Sequence, residues 1–141
     1  MKKPAVAVIG AGTMGHGIAY VAAVAGYEVR LTDARPESLP PALDKIEALL
    51  VGGVKRGRLT ADAHAAVRKR VRAEPRIAEA VAGADIVIEA VVEDLDVKRR
   101  LLADVERAAP AGALLASNTS SLSIAQIATA LHEFLGVARR F

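Results

Sequence analysis

The 141-residue chain contains no cysteine and no tryptophan, and only 3% of its residues are aromatic. Without cysteine there is no disulfide framework, no thiolate metal site and no cysteine nucleophile. So few aromatics argue against the stacking platforms that hold single-stranded nucleic acid. The excess of basic residues is small, a net charge of +3, and it does not mark a nucleic-acid binder. The three histidines, His16, His64 and His132, have no ligand-pair spacing, so no metal site is expected. No run approaches the ~18 apolar residues of a membrane span. The apolar start Ala5–Ile9 is five residues long and meets Gly10, too short for a secretory core of ~7–15 residues. The expectation is a cytoplasmic protein with no membrane and no nucleic-acid partner.

What is present is a hydrophobic fraction of 52% with ordinary charge content, 25%. That suffices for one domain with a real core, taken here as residues 1–141. Short β-branched runs alternate with helix-like stretches. Strands are expected over Ala5–Ile9, Tyr27–Thr32, Val71–Arg76, Ala84–Val91 and Ala113–Ala116. Helices are expected over Thr13–Ala25, Glu37–Val51, Thr60–Lys69, Ile77–Ala82 and Leu95–Ala109, with a last one opened by Ser123-Ile124-Ala125-Gln126. Gly26 suits a left-handed helix cap, Gly52-Gly53 is read as interrupting the second helix, and Val97, Leu101, Leu102 and Val105 are read as the inner face of the Leu95 helix. This alternation predicts an α/β fold, a Rossmann-type, doubly wound and mostly parallel sheet.

Between the first strand and first helix stands Gly10-Ala11-Gly12-Thr13-Met14-Gly15, a G-x-G-x-x-G turn in the required strand–turn–helix context. Gly10 permits the tight turn, Gly12 lets a pyrophosphate approach the backbone, and Gly15 lets helix and strand pack closely. Amides at the helix start then face the phosphates. Asp33 ends the second strand at about the spacing of a ribose-binding acid, which favours NAD over NADP. Arg35 beside it is a feature that can accommodate a 2′-phosphate, and the motif alone leaves FAD open.

Three stretches together carry a resemblance. Val8–Ala19, Ala84-Asp85-Ile86-Val87-Ile88-Glu89-Ala90-Val91-Val92-Glu93 with Lys98, and Ser117-Asn118-Thr119-Ser120-Ser121-Leu122 resemble, in order and spacing, the signatures of 3-hydroxyacyl-CoA dehydrogenases. The resemblance runs to about Gly136. It implies hydride transfer from C3 of a 3-hydroxyacyl-CoA to NAD. It implies that Ala90, Glu93 and Lys98 lie beside the nicotinamide ribose, that Ser120 lies near the substrate hydroxyl and the nicotinamide, and that Lys55 and Arg56 contact coenzyme A. Read as residues alone, Glu93 and Lys98 also fit a surface ion pair, Ser120 a loop-bonding serine, and Lys55-Arg56 a solvated basic turn.

The family's catalytic histidine follows a Gly-hydrophobic pair. Here the chain reads Gly136-Val137-Ala138, and Ala138 takes the histidine's place. The expectation is therefore the NAD-binding part of such an enzyme, without its C-terminal helical domain, inactive by itself. Val137–Phe141 is expected to form at most a short strand. That leaves a sheet edge and an apolar face suited to a homo-oligomer or to a complementing chain. A non-catalytic NAD-binding or sensing module is the alternative.

Overall fold

The computed structural model describes residues 2–129 and Leu131. Five strands form one sheet: β1 (Ala5–Ile9), β2 (Glu28–Thr32), β3 (Val71–Ala73), β4 (Ile86–Glu89) and β5 (Leu114–Ser117). Their spatial order is β3-β2-β1-β4-β5, and every pairing is parallel. The helices are α1 (Thr13–Val24), α2 (Leu39–Lys55), α3 (Ala61–Arg70), α4 (Ile77–Val81), α5 (Leu95–Ala108) and α6 (Ile124–Ala128), with a 3₁₀ turn at Pro36–Ser38 before α2.

The period of two in β1 divides the core. Val6 and Val8 face α1, α2 and α3, where they meet Ala19, Ala23, Ile46, Leu50 and Val67. Ala7 and Ile9 face the other layer, where Val81, Leu102, Val105 and Ile127 cover Val87 and Leu115. A parallel sheet buried on both faces needs such unbroken apolar strands. The chain crosses from one half of the sheet to the other beside β1. In open α/β sheets, the carboxyl ends of the strands at that reversal form the ligand crevice.

The element order matches the sequence expectation, with shorter strands at β3 and β4. Two local expectations are corrected. Gly52-Gly53 does not interrupt α2, which continues to Lys55. Gly53 is buried against Leu59, whose Cδ1 would lie 2.9 Å from an added Cβ, so the glycine admits the returning chain without leaving the helix. The stop is Gly57, at φ +68. There the Gly57 amide donates to the Val54 carbonyl at 3.0 Å and the Arg58 amide to that of Gly53 at 2.9 Å, the paired bonds of a left-handed helix terminus. On α5, Val97 is not an inner residue. It is 41% exposed, and Lys98 is the residue buried beside Leu102 and Val105.

Candidate dinucleotide-binding site

The site is built where β1 ends. The Gly10 amide donates to the Thr32 carbonyl at 2.8 Å and the Ala90 amide to that of Ile9 at 2.7 Å, so the three central strand ends are tied side by side. An added Cβ on Gly15 would lie 1.6 Å from the Gly10 carbonyl oxygen, and one on Gly10 would lie 2.5 Å from that of Ala90. No side chain fits at either place. Gly12 differs: a Cβ there would meet nothing within 4 Å. The glycine is not demanded by the protein's own packing, and the space it leaves open lies at the start of α1. Amides at a helix start, with no side chain in front of them, form a cradle for a phosphate group. Thr13 opens that helix, Ala11 is buried, and Met14 is exposed.

Asp33 stands on one side of the glycine turn. One carboxylate oxygen accepts from the Ala11 amide at 2.8 Å and the other from the Arg35 amide at 2.8 Å. The acid therefore shapes the loop as well as the surface beside it. Asp33, Ala34 and Arg35 line a cleft of about 540 Å³ with Ile9, Gly10, Gly12, Ile77, Ala90, Val91, Val92, Val97 and Leu101. Its mostly apolar wall with a few polar groups and its volume are those of a small-molecule site. The exposure of Val97 follows from this placement.

A second polar group stands on the opposite side of β1. Glu89, at the end of β4, is completely buried, and Lys98 on α5 is 1% exposed. The Lys98 ammonium donates to both Glu89 carboxylate oxygens, at 2.8 Å each, and to the Val91 carbonyl at 3.3 Å. Glu89 also accepts from the Val91 amide at 3.0 Å and from the Ser117 hydroxyl. Lys98 reaches one further oxygen, Glu93 Oε1, at 3.3 Å. Glu93 in turn accepts from the Thr119 hydroxyl at 2.9 Å, the Ser120 amide at 3.3 Å and the Ser121 hydroxyl at 3.3 Å. The Thr119 hydroxyl, followed by the Ser120 amide and the Lys98 ammonium, outweighs desolvation and holds the Glu93 carboxyl below the ordinary carboxylate range. The result is a closed polar ring joining the β4–α5 turn, α5 and the β5–α6 loop.

The structure thus brings Gly10, Gly12 and Asp33 together in the cleft, with Ala11 bonded to Asp33, and brings Glu93, Lys98 and the Ser120 backbone to one another directly after Val91 and Val92, which line the cleft, although none of those three lines it. Ala90 lies between, its carbonyl against Gly10. The Glu93–Lys98 surface pair is replaced by a buried Glu89–Lys98 pair with Glu93 at its rim. Lys55 and Arg56 are not brought to the crevice. They stand at the end of α2, a helix about 25 Å long that starts just beyond Asp33, and neither lines the cleft. His16 Nδ1 lies 2.8 Å from the Gly12 carbonyl and His64 Nε2 lies 2.8 Å from Glu47. The described residues contain no cluster able to hold a metal ion and no helix long and apolar enough to cross a membrane. Ala138, His132 and the strand expected over 137–141 lie outside the described residues.

Glu89, Ser117 and Thr119 are the site residues that sequence reasoning passed over. The signal was there: an acid inside the apolar run Ile86–Val91, where a buried charge requires a partner.

Comparison with known proteins decides the family. Residues 5–137 match the family described as the 3-hydroxyacyl-CoA dehydrogenase NAD binding domain. The chain belongs to this family. The 3-hydroxyadipyl-CoA dehydrogenase of Escherichia coli (strain K12) is 49% identical over 123 residues, which are 87% of this chain and 26% of that protein. The fatty acid oxidation complex subunit alpha of Pseudomonas syringae pv. syringae (strain B728a) is 43% identical over 126 residues, 89% of this chain and 17% of that one. Among solved structures, 3-hydroxybutyryl-CoA dehydrogenase from Escherichia coli K12 superimposes with a TM-score of 0.89 at 44% identity, covering 95% of this chain and 28% of that one. The NAD-binding domain described here therefore spans about a quarter of the length of the 3-hydroxyadipyl-CoA relative and less of the other curated one. Its cofactor is NAD, and the open space in front of Gly12 and the acid Asp33 in the cleft wall fit that group.

Proposed function

We propose that the NAD-binding domain serves a dehydrogenase that moves hydride between C3 of an (S)-3-hydroxyacyl-CoA and NAD. NAD supplies the hydride chemistry when bound. The amides at the start of α1 receive the diphosphate, and Asp33 accepts from the adenosine ribose hydroxyls. With the adenosine on the β2 side of the glycine turn, the nicotinamide half lies on the β4–β5 side, where Ala90, Glu93, Lys98 and Ser120 stand. Glu93 and Lys98 position that end of the crevice through the polar ring. The Ser120 hydroxyl, on an exposed loop, donates to a ketone oxygen or accepts from an alcohol. Lys55 and Arg56 offer charge for the phosphates of coenzyme A from the far end of α2.

The observation that carries this reading is the division of the crevice: an acid on one side of an unfilled glycine cradle, and an acid–lysine ring tied to a serine loop on the other. Titration of the purified chain with NAD and NADP by calorimetry tests it. Micromolar to millimolar binding of NAD, weaker binding of NADP and loss of both on changing Gly12 are expected, and no heat with either nucleotide overturns it.

Turnover by the chain alone is expected to be low. Among the described residues neither histidine stands in the crevice, and a positioned general base is typically worth ~10²–10⁴ in rate. We propose that the base and the acyl-binding surface come from a helical domain or a complementing chain, with a homo-oligomer as the other arrangement, acting in the cytoplasm. An assay with acetoacetyl-CoA and NADH checks this, since full-rate reduction by the purified chain contradicts it. The same lack of a base among the described residues favours, as a second reading, NAD binding without chemistry. Retention of NAD binding with no affinity for coenzyme A distinguishes it.

A further inference from the structure

The polar ring has a net charge, carried just past Val91 and Val92, which line the β4 side of the cleft. The opposite charges of Glu89 and Lys98 cancel, the ammonium lying 2.8 Å from each carboxylate oxygen. Glu93 is then left as one uncompensated negative charge. It is 39% exposed and stands at the rim of the buried pair. Thr119, Ser120 and Ser121 all donate to it, which favours its ionised form. The charged groups that line the cleft are Asp33 and Arg35, on the β2 side of the glycine turn, while Glu93 follows directly on Val91 and Val92, which line its β4 side.

The two redox forms of the cofactor differ at one end only. The oxidised nicotinamide ring carries a positive charge and the reduced ring carries none. The diphosphate and adenosine are the same in both, so Asp33, Arg35 and the α1 amides act on both forms alike. A charge on the nicotinamide side of the crevice tells them apart most strongly, because Coulomb interaction falls with distance. We propose that Glu93, with the Glu89–Lys98 pair neutralised beneath it, biases this site toward the oxidised cofactor. Had the lysine stood alone beside the crevice, the bias would run the other way. The buried Glu89 cancels the lysine's charge while keeping its hydrogen bonds. The inference rests on the nucleotide-binding reading above and adds a redox preference to it.

The test is the ratio of dissociation constants for NADH and NAD⁺, measured by fluorescence and calorimetric titration of the purified chain and of Glu93→Gln, Glu93→Ala and Glu93→Asp variants. Glu93 is exposed enough for all three to fold, and circular dichroism checks that they do. Removing one charge on the nicotinamide side of the crevice is expected to shift the ratio toward NADH by roughly 3- to 10-fold. Gln and Ala should shift it equally, and Asp should leave it within about twofold of the parent. Equal weakening of both forms in Glu93→Gln, or a shift in Ala but not in Gln, shows a hydrogen-bonding role only and overturns the proposal. If the parent chain binds neither form, the nucleotide reading falls and this inference with it.

Discussion

The Lys98 ammonium sits 2.8 Å from both carboxylate oxygens of Glu89, and neither side chain reaches solvent. The pair joins the end of a central strand to the second turn of α5, and Ser117 on the neighbouring strand bonds the same carboxylate. A buried ion pair is weak evidence for net stability, because desolvation offsets much of its attraction. Breaking one by removing a single partner is costly, since the other charge remains buried.

Lys98→Met is therefore expected to lower unfolding free energy by ~3–5 kcal/mol. The double change Lys98→Met with Glu89→Gln should lose less than the single one. Urea denaturation followed by circular dichroism gives both values. A double variant less stable than Lys98→Met contradicts the buried-charge account.

Two glycines of the same motif are expected to part company. Gly15→Ala places a methyl 1.6 Å from the Gly10 carbonyl oxygen, so the turn must open. Severe destabilisation or insoluble product is expected. Gly12→Ala meets no protein atom within 4 Å, and its stability should stay within about 1 kcal/mol of the parent. Its NAD affinity should fall at least about tenfold, because the methyl occupies the phosphate approach. Thermal unfolding and calorimetric titration on the two proteins separate the effects. Equal nucleotide binding by Gly12→Ala and the parent removes the cradle from the argument.

The glycine turn was legible because its signal is local. Spacing, a preceding strand and a following helix suffice, and Asp33 follows one strand later. The α/β order was legible for the same reason, since each strand and helix carries its own period. The Glu89–Lys98 pair was not. The acid inside an apolar strand signals a buried charge, but a lysine in the first turns of a helix reads as solvent-facing, and only the turn between them folds one onto the other. The same packing exchanged Val97 and Lys98, because α5 aims one apolar side chain at the cleft and buries the lysine. Gly52-Gly53 misled because its reason lies in Leu59, across the following turn.

Asp33 is expected to act on the loop and on the ligand together. Asp33→Asn keeps an acceptor for the Ala11 amide, now bonded at 2.8 Å, but removes the charge that repels a 2′-phosphate. The variant should fold normally, bind NAD more weakly and discriminate less against NADP. Arg35, exposed at the same rim, is then available to that phosphate. Parallel titrations with the two nucleotides measure the ratio, and an unchanged ratio indicates that Asp33 serves the loop alone.

The Glu93 carboxyl offers a direct reading of the polar ring in solution. Its principal donor is the Thr119 hydroxyl, and the donors together hold it below the ordinary carboxylate range. Because the folded carboxyl binds its proton less readily than the unfolded one, the tie contributes fully at neutral pH. It is lost as pH falls through the folded value. Thr119→Val removes the hydroxyl and keeps the volume. The side-chain carboxyl signal of Glu93, followed by NMR against pH, should then titrate at higher pH than in the parent. The amide of Ser120, which donates to the same carboxylate, should report the same midpoint from its own shift. If the midpoint does not move, Thr119 is not what holds the acid ionised, and the Ser120 amide and the Lys98 ammonium do so instead.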